Sequence, residues 1–518
     1  MQRILYLQNG ESGTRILRPQ NFVSDQVVYP PAGQTITDAE YEAWLDSDDA
    51  IPNTLVRATA LVNGVPTVFR WSTIGVTFGG ATAPVFYDPI IATGIPFSES
   101  LSLKGGATVT AGDLEVDNAE GVNKHLLEYD WNKQPLEVLK GDIRWNEVDY
   151  RLRYKGVSGG MSYKNDRTLA LYQLDMMERL NTAITTHTLG GTGPNQDALI
   201  PLAFGECPNV TGLLTEAAYL RRAFHDGPIE GIRMRTNGLP TFDYDVDFAS
   251  GTVDLSVDNQ SAAITASVQG DKFGGVYRRT IASIVRRIVT GFGDPAHRYT
   301  DADIDLANFA AFDMAHPQTV GDFSDDGPNV LVVCDRLANS VGAQLAPSID
   351  GKLRLIQIAV PASGVATDIL PEHILAKSLR LVEHIPRVEG IKLGFCRNYT
   401  VQDSLISGGA IPDEHLELFR KPWRTVTAGA GNPPQKNTQF VRRADAQPQA
   451  DRDFELWGVD RDIFEFIGLG PMTKLKLGQR VRIYNDLFNM QAGKEGQVHF
   501  LAPDPDDRKR QITVRILV

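Results

Sequence analysis

The chain has 518 residues, 42% of them hydrophobic and 22% charged. Those proportions exclude a largely disordered, collagen-like or mucin-like polypeptide. The formal net charge of −13 argues against a dedicated nucleic-acid binder, which carries a basic face to neutralise phosphates.

At about 150 residues per domain, the length points to three or four domains. The 47 glycines and 29 prolines slightly exceed average usage and predict many turns between short strands. Three cysteines, Cys207, Cys334 and Cys396, lie too far apart for a zinc site or a disulfide framework. Free buried thiols in a reducing compartment are expected. No run of about 18 apolar residues occurs, so no membrane span is expected. The opening Met1–Gly10 stretch breaks too early for a secretory core, which predicts a chain made and kept in the cytosol unless a non-secretory route exports it.

In chain order, residues 14–17 and 56–62 read as strands, as does the Val/Thr/Phe/Trp-rich stretch 65–78. Thr37-Asp38-Ala39-Glu40 is a capping box opening a helix over 37–45. From 97 to 180 the pattern is β, with strands near 98–103, 136–139, 150–154 and 168–172 separated by Gly/Asp turns. Such spacing fits a barrel or sandwich better than βαβ units. Gly190-Gly191-Thr192-Gly193-Pro194 reads as a flexible connection, and Asn237-Gly238 and Ser250-Gly251 as hairpin turns. Ile281, Ile284, Val285, Ile288 and Val289 form one apolar stripe on a helix over 276–290. Further helices are expected near 301–313 and 329–345, then a strand over 352–358 opened by Asp350-Gly351. Strands return after 378, residues 428–437 read as an exposed loop or a boundary, and 475–518 is β again.

Searching these elements for chemistry yields little. Gly351-Lys352-Leu353 and Gly493-Lys494-Glu495 lack the hydroxyl residue that closes a phosphate-binding loop. Gly156-Val157-Ser158-Gly159-Gly160 matches the nucleophile-elbow string, but a strand rather than a helix is expected after it. Asp301-Ala302-Asp303-Ile304-Asp305 begins like a calcium loop, yet Leu306 and Phe312 stand where glycine and glutamate are required; it reads as the acidic start of a helix. None of the nine histidines makes a metal-binding pair. Arg278, Arg279, Arg286 and Arg287 give the 276–290 helix a basic face, read either as solvated or as a dock for an acidic surface of a neighbouring chain. No catalytic residue, cofactor or metal is assigned.

Several segments resemble the tail-tip or baseplate hub proteins of tailed bacteriophages. They are Pro96–Leu101 through Gly112–Asn118, Trp131–Trp145 with Tyr150–Gly156, Pro201-Leu202-Ala203-Phe204-Gly205-Glu206 with Asn209-Val210, and His225–Ile229 with Asn237-Gly238. Ile349–Leu353, Leu477-Gly478 and Gly496-Gln497-Val498 extend the likeness to roughly residues 85–515. The resemblance implies a mainly β fold with a central α+β part, in which two tail-tube-like β-barrel domains are joined by a mixed region. The implied division is an N-terminal α+β region at 1–84, a first barrel at 85–182 and a β-rich connection at 183–275. A helical α+β centre at 276–377 and a second barrel at 378–518 complete it.

The resemblance further implies a non-enzymatic virion protein of the tail tip, assembled in the host bacterial cytoplasm. Its partners would be copies of itself in a ring, most simply a trimer, with the distal tail protein, other tip proteins and tail fibres. DNA would pass without specific binding, since like charges repel. Acidic residues read either as facing that channel or as solvated loops are Asp322, Asp325, Asp326, Asp504, Asp506 and Asp507, with Asp46, Asp48 and Asp49 as a further cluster. Alternatives are a hexameric distal tail protein, a glycan-active β-rich enzyme or a carbohydrate-binding module.

Overall fold

Antiparallel strand pairing dominates the computed structural model, which describes residues 35–79, 83–91, 95–103, 106–191, 195–216, 220–255, 263–403, 419–505 and 509–518. The strand expected at 14–17 lies outside the described residues. Among those described are five α-helices: α1 (Asp38–Leu45), α2 (Ile281–Gly291), α3 (Leu306–Ala315), α4 (Val330–Asn339) and α5 (Arg443–Trp457).

The first sheet has six strands in the order Val65–Ser72, Pro52–Val62, Pro135–Asp142, Arg151–Asn165, Thr168–Leu174, Leu114–Asp117. Alternation along Pro52–Val62 sends Val56, Ala58 and Ala60 into a core with Trp71, Trp131 and Tyr154. Leu55 points to the opposite face, into a second core with Tyr41, Trp44 and Trp145. Helix α1 covers that face. Thr37 and Glu40 form the expected capping box. Trp44 Nε1 donates to the buried Asp142 Oδ2 at 2.8 Å. The sheet therefore draws strands from both sides of residue 84, and the division expected there runs through a hydrogen-bonded layer.

The second large sheet has eight strands. Its main path is Thr367–Ile369, Arg480–Asn485, Met490–Pro503, Gln511–Leu517, Arg461–Leu469, Arg380–Ile385. Phe464, Phe466, Val481, Val498, Val514 and Ile516 fill its core. Two strands arrive from far away in sequence: Phe97–Ser100 pairs with Met490–Pro503 and with Thr108–Ala111. Directly after that hairpin, Leu114–Asp117 joins the edge of the first sheet. The 97–117 segment thus staples the two sheets together. Phe97 stacks on Tyr154 of the first sheet (centroids 4.9 Å apart), and Leu101 N–H donates to the His499 carbonyl of the second. Buried Glu99 accepts from Ile349 N–H at 2.7 Å.

Between the sheets lies the mixed centre. A five-stranded sheet (Leu239–Pro240, Ile229–Thr236, Ile264–Asp271, Leu202–Val210, Gly321–Ser324) is accompanied by a four-stranded one built from residues 213–255. Asn237 and Gly238 both take positive φ (50° and 81°), as a two-residue type I′ hairpin requires. Ser250-Gly251 likewise turns the chain between Tyr244–Asp247 and Thr252–Leu255. The predicted stripe of α2 is buried in full: Ile281, Ile284, Val285, Ile288 and Val289 pack with α3, α4 and Phe204. At about 2 kcal/mol per buried aliphatic side chain, this stripe outweighs the roughly 1 kcal/mol of a helix cap and fixes where α2 sits.

Helix α4 is shorter than the 329–345 expectation. It stops at Asn339, Gly342 takes φ +67°, and Ala343–Pro347 becomes a fully buried strand paired with Leu353–Gln357. Asp301–Asp303 and α3 are separate elements, capped by Thr300/Asp303 and by Asp305. Among the described residues between 390 and 457, none extends the second large sheet. Gly390–Phe395, Arg424–Gly429 and Gln435–Asn437 form a small sheet of their own, and α5 packs on it through Ala446 and Ala450.

Candidate assembly surfaces

The apparent nucleophile elbow is a strand interior. Arg151–Asn165 runs unbroken through Ser158, which is 1% exposed and whose hydroxyl donates to the carbonyls of Trp131 and Gln134. Asp303 and Asp305 serve as helix caps, and among the described residues no group of three or more His, Cys, Asp or Glu side chains is placed to hold a metal ion. Cys207 and Cys334 are buried and Cys396 half-buried, all unpaired. Burial pushes the Cys207 thiol well above its ordinary range.

The basic face read on α2 divides. Arg287 turns inward, its guanidinium over the rings of Phe273 and Phe292 (4.1 and 4.6 Å to the centroids) and its Nε 3.1 Å from Asp271 Oδ2. Asp271 also faces His225 Nε2 at 3.7 Å and Arg278 at 3.9 Å. Because Ala203 N–H donates to His225 Nδ1, the proton sits on Nε2, aimed at Asp271. Burial alone raises the Asp271 carboxyl, but the facing His225 imidazole and the hydrogen-bonded Arg287 guanidinium outweigh it and hold the group below its usual range. Arg286 forms a bidentate pair with Asp301 at 3.0 and 2.7 Å; both side chains are about half exposed, so the pair contributes about 0–1 kcal/mol. Arg279 is exposed. The helix begins at Ile281, not at 276, so Arg278 and Arg279 precede it; of the two arginines on α2, Arg287 binds the helix to its own sheet.

The acidic clusters divide as well. Asp322 is fully buried, accepting from Ser324 Oγ at 2.9 Å and Arg336 at 3.0 Å. Its carboxylate faces no solvent channel: it lies on the strand Gly321–Ser324, between Leu202–Val210 and the α4 side chains. Asp325 and Asp326 are exposed and Asp504 half-buried, the last 3.3 Å from Lys509 Nζ. Asp506 and Asp507 lie outside the described residues.

Sheet edges are the surfaces that sequence patterning did not single out. Among the described residues, the Val65–Phe69 end of the first sheet pairs only with Pro52–Val62, with Val65 62% and Val68 44% exposed. The edge of the second sheet, Arg380–Ile385, pairs only with Arg461–Leu469 and exposes Leu381 and Val382. Exposed strand edges carrying apolar side chains are templates for pairing with another chain.

No family model matches the chain, and no curated protein matches it. Solved structures do align with it. The tail protein from Neisseria meningitidis MC58 is 12% identical over 90% of this chain and 96% of that one, with a TM-score of 0.37. The 43 kDa tail protein of prophage MuSo2 from Shewanella oneidensis gives 12% over 90% and 98%, with a TM-score of 0.37. A chain of the native gene transfer agent virion gives 13% over 66% and 91%, with a TM-score of 0.41. The chain is similar to phage tail proteins. It is mainly β, as the sequence predicts.

Proposed function

We propose that this protein is a structural hub of a phage tail tip or baseplate, a ring that joins the tail tube to tip proteins and fibres and lets DNA pass. The observation that carries the reading is the pair of open, mainly antiparallel sheets in one chain, stapled by the 97–117 segment, each with an edge that is unpartnered among the described residues. A sheet that cannot close on itself reaches full pairing by docking on the next copy, and rotational closure of such head-to-tail contacts makes a ring. With two sheets per chain, three copies present six related sheets, the number a hexameric tube would meet. The stapling segment gives those sheets a fixed relative position, which a scaffold needs and a lone binding module does not. Asp325, Asp326 and Asp504 are the described members of the proposed channel set.

The edges supply the test. Val68→Lys with Leu381→Lys places a charge on each edge, where lysine opposes pairing. Both side chains are exposed, so monomer stability is expected to move by no more than about 0.5 kcal/mol per site. Analytical ultracentrifugation is expected to show loss of the ring, with the separated chains still folded by circular dichroism. A double variant that assembles like the parent overturns the edge-pairing account.

A further inference from the structure

A cleft of about 650 Å³ opens between α4 and the small sheet, lined among others by Arg336, Arg397, Trp423, Lys436, Asn437 and Gln439. In a chain of net charge −13, three cations converge here. Arg397 lies over the rings of Tyr399 and Trp423 (4.4 and 5.9 Å to the centroids), and no carboxylate is paired with it among the described residues. Arg336 bonds the buried Asp322 behind the cleft while its own Nε is left without a partner. Lys436 reaches a carboxylate only at 3.9 Å, that of Asp453. Against them stands Asp335 on the α4 wall, its carboxyl pushed up to about 6 by burial. Gln439 is 6% exposed, and its Oε1 has no hydrogen-bond partner. Such a group costs stability unless a donor reaches it.

One border of the cleft is a sheet edge. Among the described residues Gln435–Asn437 pairs on one side only, in parallel with Gly390–Phe395, and all three residues are exposed. We propose that this cleft receives an extended acidic segment of a partner protein, which adds as a strand to Gln435–Asn437. Main-chain bonds along an edge give affinity, and side-chain pockets on alternate residues give selectivity. Acidic side chains would meet Arg397, Arg336 and Lys436, and Trp423 would form one wall. A sheet edge favours a peptide over a sugar or an oligonucleotide, neither of which can continue a β-ladder. The inference rests on this cleft alone and not on the hub reading.

Fluorescence anisotropy with the full chain tests it. The probe is a labelled peptide of about eight residues, one strand's length, alternating glutamate with valine; the control carries glutamine in place of glutamate. The glutamate peptide is expected to bind at least about tenfold more tightly than the glutamine peptide, and more weakly as salt rises above about 0.1 M. Arg397→Glu is expected to weaken it about tenfold, and Trp423→Leu to weaken both peptides. Should Arg397→Glu fail to fold, Lys436→Glu carries the test, since that side chain is exposed. Equal affinity for both peptides, no binding by the parent chain, or undiminished binding by the charge-reversed variant overturns the proposal. Equal competition by an oligodeoxythymidylate of matching charge also overturns it, by assigning the cleft to nucleic acid.

Discussion

Gly205→Val destabilises the protein by about 4 kcal/mol or prevents folding, whereas Gly64→Ala costs about 1 kcal/mol. Both positions have positive φ, +63° and +79°, so both substitutions incur the left-handed backbone penalty. Their surroundings differ. A Cβ at Gly64 meets nothing within 4 Å, while one at Gly205 falls 2.0 Å from the Val320 carbonyl oxygen. Backbone cannot yield there, because Gly205 faces Gly321 across the pairing of Leu202–Val210 with Gly321–Ser324, and a Cβ on Gly321 would itself meet Glu206 O at 1.9 Å. Ile284 of α2 is 3.1 Å from that Cβ, so displacement of the strand would also disturb the packing of α2. Urea denaturation of the two variants separates the terms: comparable losses would mean that close approach at Gly205 contributes nothing beyond φ.

Asp271→Ala is expected to cost about 3 kcal/mol, because it leaves the part-buried Arg287 and the buried His225 without the carboxylate that faces both. Arg287 is held between two rings at the end of α2, so the lost anchor lies where the helix meets Ile264–Asp271. The group also sets a pH dependence. Its folded-state carboxyl titrates below the unfolded value, so its contribution is complete above about pH 4 and is lost as pH falls through the folded value. Asp271→Asn therefore flattens the acid limb of the stability profile and lowers the neutral plateau. A variant with the parent's plateau and acid limb would remove Asp271 from the account of how α2 is held.

What the sequence made legible follows from range. The α2 stripe and the Thr37/Glu40 and Thr300/Asp303 boxes repeat within a turn or two of chain, so periodicity reveals them. The failed nucleophile elbow was readable for the same reason: the residues after Ser158 have strand chemistry, and the strand continues. Helix α5 escaped because its buried face carries Gln449 and Asp453, hydrogen-bonded to each other at 2.6 Å, beside only Ala446, Ala450 and Leu456. Pro448 inside the helix further weakens any local signal. That helix is stabilised by the sheet beneath it, not by its own pattern.

Partners distant in sequence were invisible. Nothing in Phe97–Ser100 names Phe500 and Leu501 as its neighbours, and nothing local marks Asp322 as buried, since its run of acidic residues reads as a solvated loop. The Arg397 cleft draws Arg336, Trp423 and Lys436 from separate elements and so has no linear motif. For the resembling segments, the glycine of Pro201–Glu206 now has a physical reason in the Val320 contact.

The native mass of the purified full chain tests the central claim most directly. Edge pairing between copies predicts a closed particle of three times the 56.9 kDa chain mass, with three-fold symmetry in electron micrographs. A species that stays at the mass of one chain at every concentration measured, and that shows no rotational symmetry, would contradict it.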